Sequence, residues 1–171
     1  MPKYYLMLVD QEQGEMYVPV KALLNPYDGQ PAFASGMPQF FGGTDETDDP
    51  PAVALERELA EESRRSLELT SGSPPEFYDS GNMFFYWAGE DRWQATDISW
   101  GSARDASEAE MDRIESVDLA GFNPGWGDDR IIEELVDQAR CQRAPDQGVA
   151  DFDGSATRTA FIALIRLLIA G

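Results

Sequence analysis

The first apolar run, KYYLMLVD at residues 3–10, is hydrophobic at odd and even positions alike, the pattern of a strand buried on both faces. A Gly-containing turn, QEQGE, leads to MYVPVKALL, a second strand in which Pro19 marks an edge or an irregularity. Residues 25–38, NPYDGQPAFASGMP, read as a long connection, and a connection of that length is uncommon unless it serves a function, such as lining a site. QFF then forms a short strand running into Gly42 and Gly43, followed by the acidic loop TDETDD. A helix comes next. A residue before proline is pushed out of the helical region, so Pro50 lies outside and Pro51 fits the first turn. Asp49 stands near the helix N-terminus, where its charge suits the dipole. Ala52, Leu55 and Leu59 share one stripe that packs on a sheet, and Glu58, Glu61 and Glu62 share a neighbouring face.

Downstream, TSGSPPEFYDSG reads as a loop and NMFFYWAGE as a central strand with two apolar faces. RWQATDISW is expected to be another strand. Ser107 and Glu110 match a capping box for a short helical piece, and IESVDL is a further short strand. After the loop GFNPGWGDD, the amphipathic RIIEELVDQAR predicts a helix capped by Asp128 or Asp129. APDQGVADFDG reads as a polar connector. The closing ATRTAFIALIRLLIAG is apolar nearly all round, which predicts a helix docked on the domain or on a second subunit, so a homodimer is possible. The boundaries expected are a domain over 1–140 and a connector plus helix over 141–171.

Composition narrows the function classes. The chain has 171 residues, 42% of them hydrophobic, enough for one domain with a core. Thirteen basic residues against 32 acidic ones leave a formal charge of −19, which argues against nucleic acid as a partner. Only Lys3 and Lys21 are lysines. A solvated acidic surface, screened in a salty cytoplasm, is the plain account of that charge, and an acidic DNA mimic is a competing one. No signal peptide and no membrane span are read, and the single Cys141 fits a reducing cytoplasm. There is no histidine, so Cys–His catalysis and histidine-based metal sites are excluded.

Three glutamates on one helix face repel one another by a few tenths of a kcal/mol per pair, ~0.2–0.5. Around hard cations such as Mg²⁺ or Mn²⁺ they become useful oxygen ligands, and a preceding Gly-Gly lets backbone approach the same ions. From Gly43 the stretch reads Gly, five residues, Asp49, seven residues, then Arg57-Glu58-Leu59-Ala60-Glu61-Glu62. It resembles the Nudix box, Gly-x5-Glu-x7-Arg-Glu-U-x-Glu-Glu-x-Gly-U, with U a bulky aliphatic residue. The resemblance implies an α/β (α+β) Nudix fold, a mixed sheet between helices, here with an added C-terminal helix. It also implies Mg²⁺- or Mn²⁺-dependent hydrolysis of a diphosphate linkage in a nucleoside diphosphate derivative. The Gly42 carbonyl, Glu58, Glu61 and Glu62 would hold metal, Glu58 would orient or deprotonate the attacking water, and Arg57 would pair with a box glutamate.

Two departures stand out. Asp49 replaces the first glutamate, and Arg64 and Arg65 stand where Gly and an aliphatic residue usually end the helix, so this helix is expected to end differently or run on. An inactive Nudix-fold module that binds a nucleotide or protein is therefore the alternative reading. Many family members draw a further carboxylate from a later loop, for which Glu108, Glu110 and Asp112 are the candidates. Tyr86, Trp87, Trp93, Trp100, Trp126 and the loop 122–126 are places where a base could stack. The marks of NADH pyrophosphatases and of many ADP-ribose hydrolases are not found, which leaves the substrate open.

Overall fold

The computed structural model describes residues 1–45, 47–70 and 72–170; Glu46 of the acidic loop lies outside the described residues. Among the described residues eight strands and four α-helices run in the order β1 (Lys3–Asp10), β2 (Glu15–Lys21), β3 (Phe41–Thr44), α1 (Pro51–Glu62), β4 (Leu67–Leu69), β5 (Glu76–Asp79), β6 (Met83–Ala88), β7 (Trp93–Ala95), β8 (Met111–Asp118), α2 (Asp128–Gln138), α3 (Asp146–Asp153) and α4 (Ala156–Ile169). The fold is mixed α+β. Six strands form one sheet in the order β5-β6-β1-β2-β8, with β3 paired to β1, while β4 and β7 form a separate ribbon. β1 runs parallel to β6 and antiparallel to β2 and β3.

The two-sided apolar pattern of β1 matches its central place. Leu6 and Leu8 pack on one face with Leu55 and Leu59 of α1. Met7 and Val9 pack on the other with Ile131 and Leu135 of α2, Phe152 of α3, and Phe161 and Ile165 of α4. The sheet is thus sandwiched, with α1 on one side and the other three helices on the opposite side. Pro19 is not on an edge, since β2 lies between β1 and β8; the irregularity is real, a register shift between Val20 and Lys21. Among the described residues no helix is long and apolar enough to cross a membrane.

Several local readings are corrected. Gly42 and Gly43 lie inside β3 rather than beyond it. β5 and α3 form in segments read as loop and connector, and β4 forms where no strand is expected, in the stretch left open to a run-on of α1. The strand expected over 92–100 shortens to Trp93–Ala95. Asp128 and Asp129 sit in the first turn of α2 without capping it, and pair instead with Arg166 and Arg158 of α4 at 2.7 and 2.6 Å. Those pairs tie α2 to α4 above the apolar contact.

Phe161 is fully buried, with its ring 4.5 Å from that of Phe40, between the sheet and α4. Phe161→Ala is expected to cost about 3–5 kcal/mol in urea unfolding, the usual range for an emptied aromatic core position. A loss below about 1 kcal/mol would mean that α4 is not part of the cooperative core.

Candidate functional site

β3 and α1 meet at the end of the sheet, and backbone geometry fixes how closely. Gly42 has φ 151°, and a Cβ there would lie 2.0 Å from the Tyr4 carbonyl oxygen of β1. Only glycine allows that approach. The Gly42 N–H donates to the Glu62 carboxyl group at 2.6 Å, so β3 and the last turn of α1 are joined through a short hydrogen bond. Gly43 faces Glu58, whose carboxylate would be 3.6 Å from a Cβ at that position.

Glu58, Glu61 and Glu62 come together here as the helical spacing requires, and Glu110 joins them. Burial above all, then repulsion from Glu61 and Glu110, pushes Glu58 from 4.5 up to about 7, with Arg57 opposing. Burial also raises Glu62 well above the ordinary carboxylate range, reinforced by Glu58 and Glu110 and opposed by the Gly42 N–H. Glu61 is raised too, mainly by burial. Among the described residues none of these four carboxylates forms an ion pair with Lys or Arg. Ionising the whole cluster is therefore costly, because the carboxylates are poorly hydrated and crowd one another without an ion-pair partner.

Arg57 turns away from the three helix glutamates. Its guanidinium donates to Asp49 at 2.9 Å and lies 3.7 Å from the buried Asp45. Thr47 bridges both acids. Asp49 thus serves Arg57 rather than the helix N-terminus, whose cap residue is Pro50 with no side-chain cap. Asp45 went unnoticed in the sequence because it falls at no position of the box.

The three loop carboxylates separate cleanly. Glu108 is gripped by Arg104 through Oε1 and Oε2 at 2.8–2.9 Å and by Arg65 at 3.1 Å, which holds it down at about 2. Asp112 pairs with Arg113 on the surface. Only Glu110 faces the helix glutamates. The cap of the 3₁₀ turn Ala106–Glu108 is Asp105, which accepts from the Glu108 N–H, so the capping frame Ser107–Glu110 is incorrect. Glu110 is released from that duty.

Helix α1 stops at Glu62 despite the missing glycine. Arg64 and Arg65 both adopt left-handed backbone, φ 54° and 66°, which costs about 1–2 kcal/mol for each non-glycine residue. The Arg65 N–H returns to the Ala60 carbonyl at 2.7 Å and closes the helix end. The helix does not run on.

Two cavities share Gly42, Gly43, Thr44 and Glu110 in their walls. One, of about 480 Å³, is lined by Glu58, Glu61, Arg57 and Tyr27. The other, of about 220 Å³, is lined by Glu62, Tyr5, Phe33, Gln39 and both lysines of the chain, Lys3 and Lys21. The long connection 25–38 reaches both through Tyr27 and Phe33. None of Tyr86, Trp87, Trp93, Trp100 and Trp126 appears in either lining. Trp93 packs on Tyr17 and donates to the Val9 carbonyl, and Trp126 lies under Arg130. Phe122 is buried in the core.

The donor set suits hard divalent cations, being all oxygen and rich in uncompensated charge. The side chains are nonetheless not drawn into a finished cage: among the described residues no group of three acidic side chains is arranged to hold a metal ion.

No family model matches the chain, and no curated protein matches it in sequence. Solved structures match it in shape. One comes from work on MutT from the psychrophilic fish pathogen Aliivibrio salmonicida and the mesophile Vibrio cholerae, at 16% identity and a TM-score of 0.45, covering 80% of this chain and 97% of that one. At that overlap the likeness says nothing about chemistry.

The raised carboxylates have a measurable consequence. A group whose folded pKa lies above its unfolded value binds more protons in the folded state, so stability falls as pH rises between the two. For Glu58 that window runs from about 4.5 to about 7. Metal-free protein is expected to lose melting temperature across that window, and Glu58→Gln to flatten the profile. An unchanged profile in the variant would show that Glu58 is not held in the repelling cluster.

Proposed function

We propose that the chain is a Nudix-type hydrolase that cleaves a diphosphate linkage in a nucleoside diphosphate derivative, using Mg²⁺ or Mn²⁺. The observation that carries the reading is the meeting of Glu58, Glu61, Glu62 and Glu110 beside Gly42 and Gly43, none of the four being in an ion pair with Lys or Arg among the described residues. Such a cluster has a function when a divalent cation completes it, and Glu58, Glu61, Glu62 and the Gly42 carbonyl are the groups that would hold one, with Glu110 beside them. When bound, the ion neutralises phosphoryl oxygens and lowers the pKa of a bound water.

The chain's own residues take the remaining roles. Glu58, on the helix face beside Gly43, would orient the attacking water or take its proton, a role that suits a carboxylate next to the cation. Arg57 is a positioning residue in this scheme: anchored on Asp45 and Asp49, it steadies the helix turn that carries Glu58 and Glu61. Tyr27 and Phe33 offer apolar surface to the nucleoside part of a substrate. Lys3 and Lys21, the only lysines in a chain of charge −19, both line the smaller cavity and supply positive charge to a polyanion there. The altered end of the box, which motivates the inactive-module alternative, still stops the helix where a glycine would.

Hydrolysis of a panel of nucleoside triphosphates, nucleotide sugars, dinucleotides and dinucleoside polyphosphates, with products identified by mass spectrometry, tests the reading. Divalent-dependent turnover is expected, reduced about 10²–10⁴-fold by Glu58→Gln. No turnover across the panel, with nucleotide binding intact, would favour the binding module. Lys3→Met and Lys21→Met are expected to raise KM roughly tenfold each with kcat largely retained, as for loss of a charged contact outside the reacting centre. A KM unchanged in both would remove the lysines from substrate binding.

A further inference from the structure

Arg64 stands where the box pattern has glycine, and its side chain is fully engaged. Nε donates to the Glu108 carbonyl at 3.0 Å, Nη1 to the Gly101 carbonyl at 2.7 Å and Nη2 to the Met111 carbonyl at 3.1 Å. The guanidinium also lies 4.2 Å from the centre of the Trp100 ring. Glu110 sits between two of those anchors, Glu108 and Met111. Arg65 adds to the same junction, since its carbonyl accepts from the Thr96 hydroxyl at 2.6 Å and its Nε reaches the Glu108 carboxylate.

Glu110 needs such a restraint. Its carbonyl accepts from the Ala22 N–H at 3.0 Å, which holds the C-terminal side of the loop to β2, but its carboxylate faces three others that repel it. The Arg64 contacts at Gly101 and Glu108 hold the rest of the loop, which that bond does not reach, against the swing toward water that the repulsion favours. A planar guanidinium is able to hold three carbonyls at fixed angles at once, whereas an ammonium is a point donor without that fork.

We propose that Arg64 is the positioning residue for Glu110, clamping the loop 101–111 to the end of α1 so that the fourth carboxylate faces Glu58, Glu61 and Glu62. The proposal rests on the reading above, that this cluster takes a divalent cation. It assigns a function to the departure from the box pattern: the left-handed backbone is kept while the side chain gains a task that glycine cannot perform.

The test is Mn²⁺ binding to the full chain, followed by the electron paramagnetic resonance of free Mn²⁺, together with hydrogen exchange of the amides of residues 101–111. Wild type is compared with Arg64→Gly, Arg64→Lys, Glu110→Gln, Glu58→Gln and the double variant Arg64→Gly/Glu110→Gln. Arg64→Gly suits the left-handed backbone and is expected to fold, to exchange faster across 101–111 and to bind Mn²⁺ about tenfold more weakly, the scale of a lost outer-shell support. Arg64→Lys is expected to recover part of the loss. The double variant should bind no more weakly than Glu110→Gln alone, because both changes act through one carboxylate. Trp100→Ala, which loosens the guanidinium without touching the helix end, carries the same comparison if Arg64→Gly does not fold.

Wild-type affinity in Arg64→Gly, or losses that simply add in the double variant, would overturn the clamp. Mn²⁺ binding by wild type that Glu58→Gln abolishes, with Arg64→Gly unaffected, removes the clamp and leaves the hydrolase reading standing. No Mn²⁺ binding by wild type removes both.

Discussion

The hydrogen bond from the Gly42 N–H to the Glu62 carboxylate, 2.6 Å long, joins the sheet to α1 at the place where negative charge accumulates. Two conditions meet there: β3 lies against β1 so closely that no side chain fits at Gly42, and α1 stops at Glu62. The first condition is met by Tyr4 and Tyr5 of β1, the second by two arginines held in left-handed backbone. Around that bond Glu58 and Glu61 fall into place by helical spacing, Glu110 joins them from the loop before β8, and their mutual repulsion is the energetic cost that a bound cation would offset.

Arginine does most of the electrostatic organisation. Arg57 collects Asp45 and Asp49 on one flank of the cluster, and Arg104 with Arg65 collects Glu108 on the other. Each arrangement removes a nearby acid from the cavities, leaving Glu58, Glu61, Glu62 and Glu110 as the carboxylates that face one another. The fork geometry of guanidinium, rather than its charge alone, suits this sorting. The two lysines fall elsewhere, in the wall of the smaller cavity.

Much of this was legible in the chain. Periodicity marked β1, α1, α2 and α4, because each buries an uninterrupted apolar face against the sheet. The fixed spacing from Gly43 to Glu62 pointed to the acid cluster before any geometry was at hand. What stayed hidden was decided by contacts distant in sequence. β5 follows Pro74 and Pro75 and pairs only along β6, and α3 is anchored by the buried Phe152 and by Gly148, where a Cβ would lie 2.3 Å from the Ser35 carbonyl oxygen. Glu110 was ambiguous because two capping frames overlap, Asp105–Glu108 and Ser107–Glu110, and the choice is made by Arg65 and Arg104. Tyr27 and Phe33 were masked by the Gly- and Pro-rich composition of their loop, which signalled a site-lining connection without saying which side chains it delivers.

In the proposed reading the carboxylates beside Gly42 are a divalent-cation site. Anomalous scattering from crystals of the full chain soaked in Mn²⁺ tests it most directly. The account requires a Mn²⁺ peak within oxygen-bonding distance of Glu58 and Glu62 and adjoining the Gly42 backbone. A well-ordered cluster with no peak there, or Mn²⁺ bound only at unrelated surface acids, would contradict it.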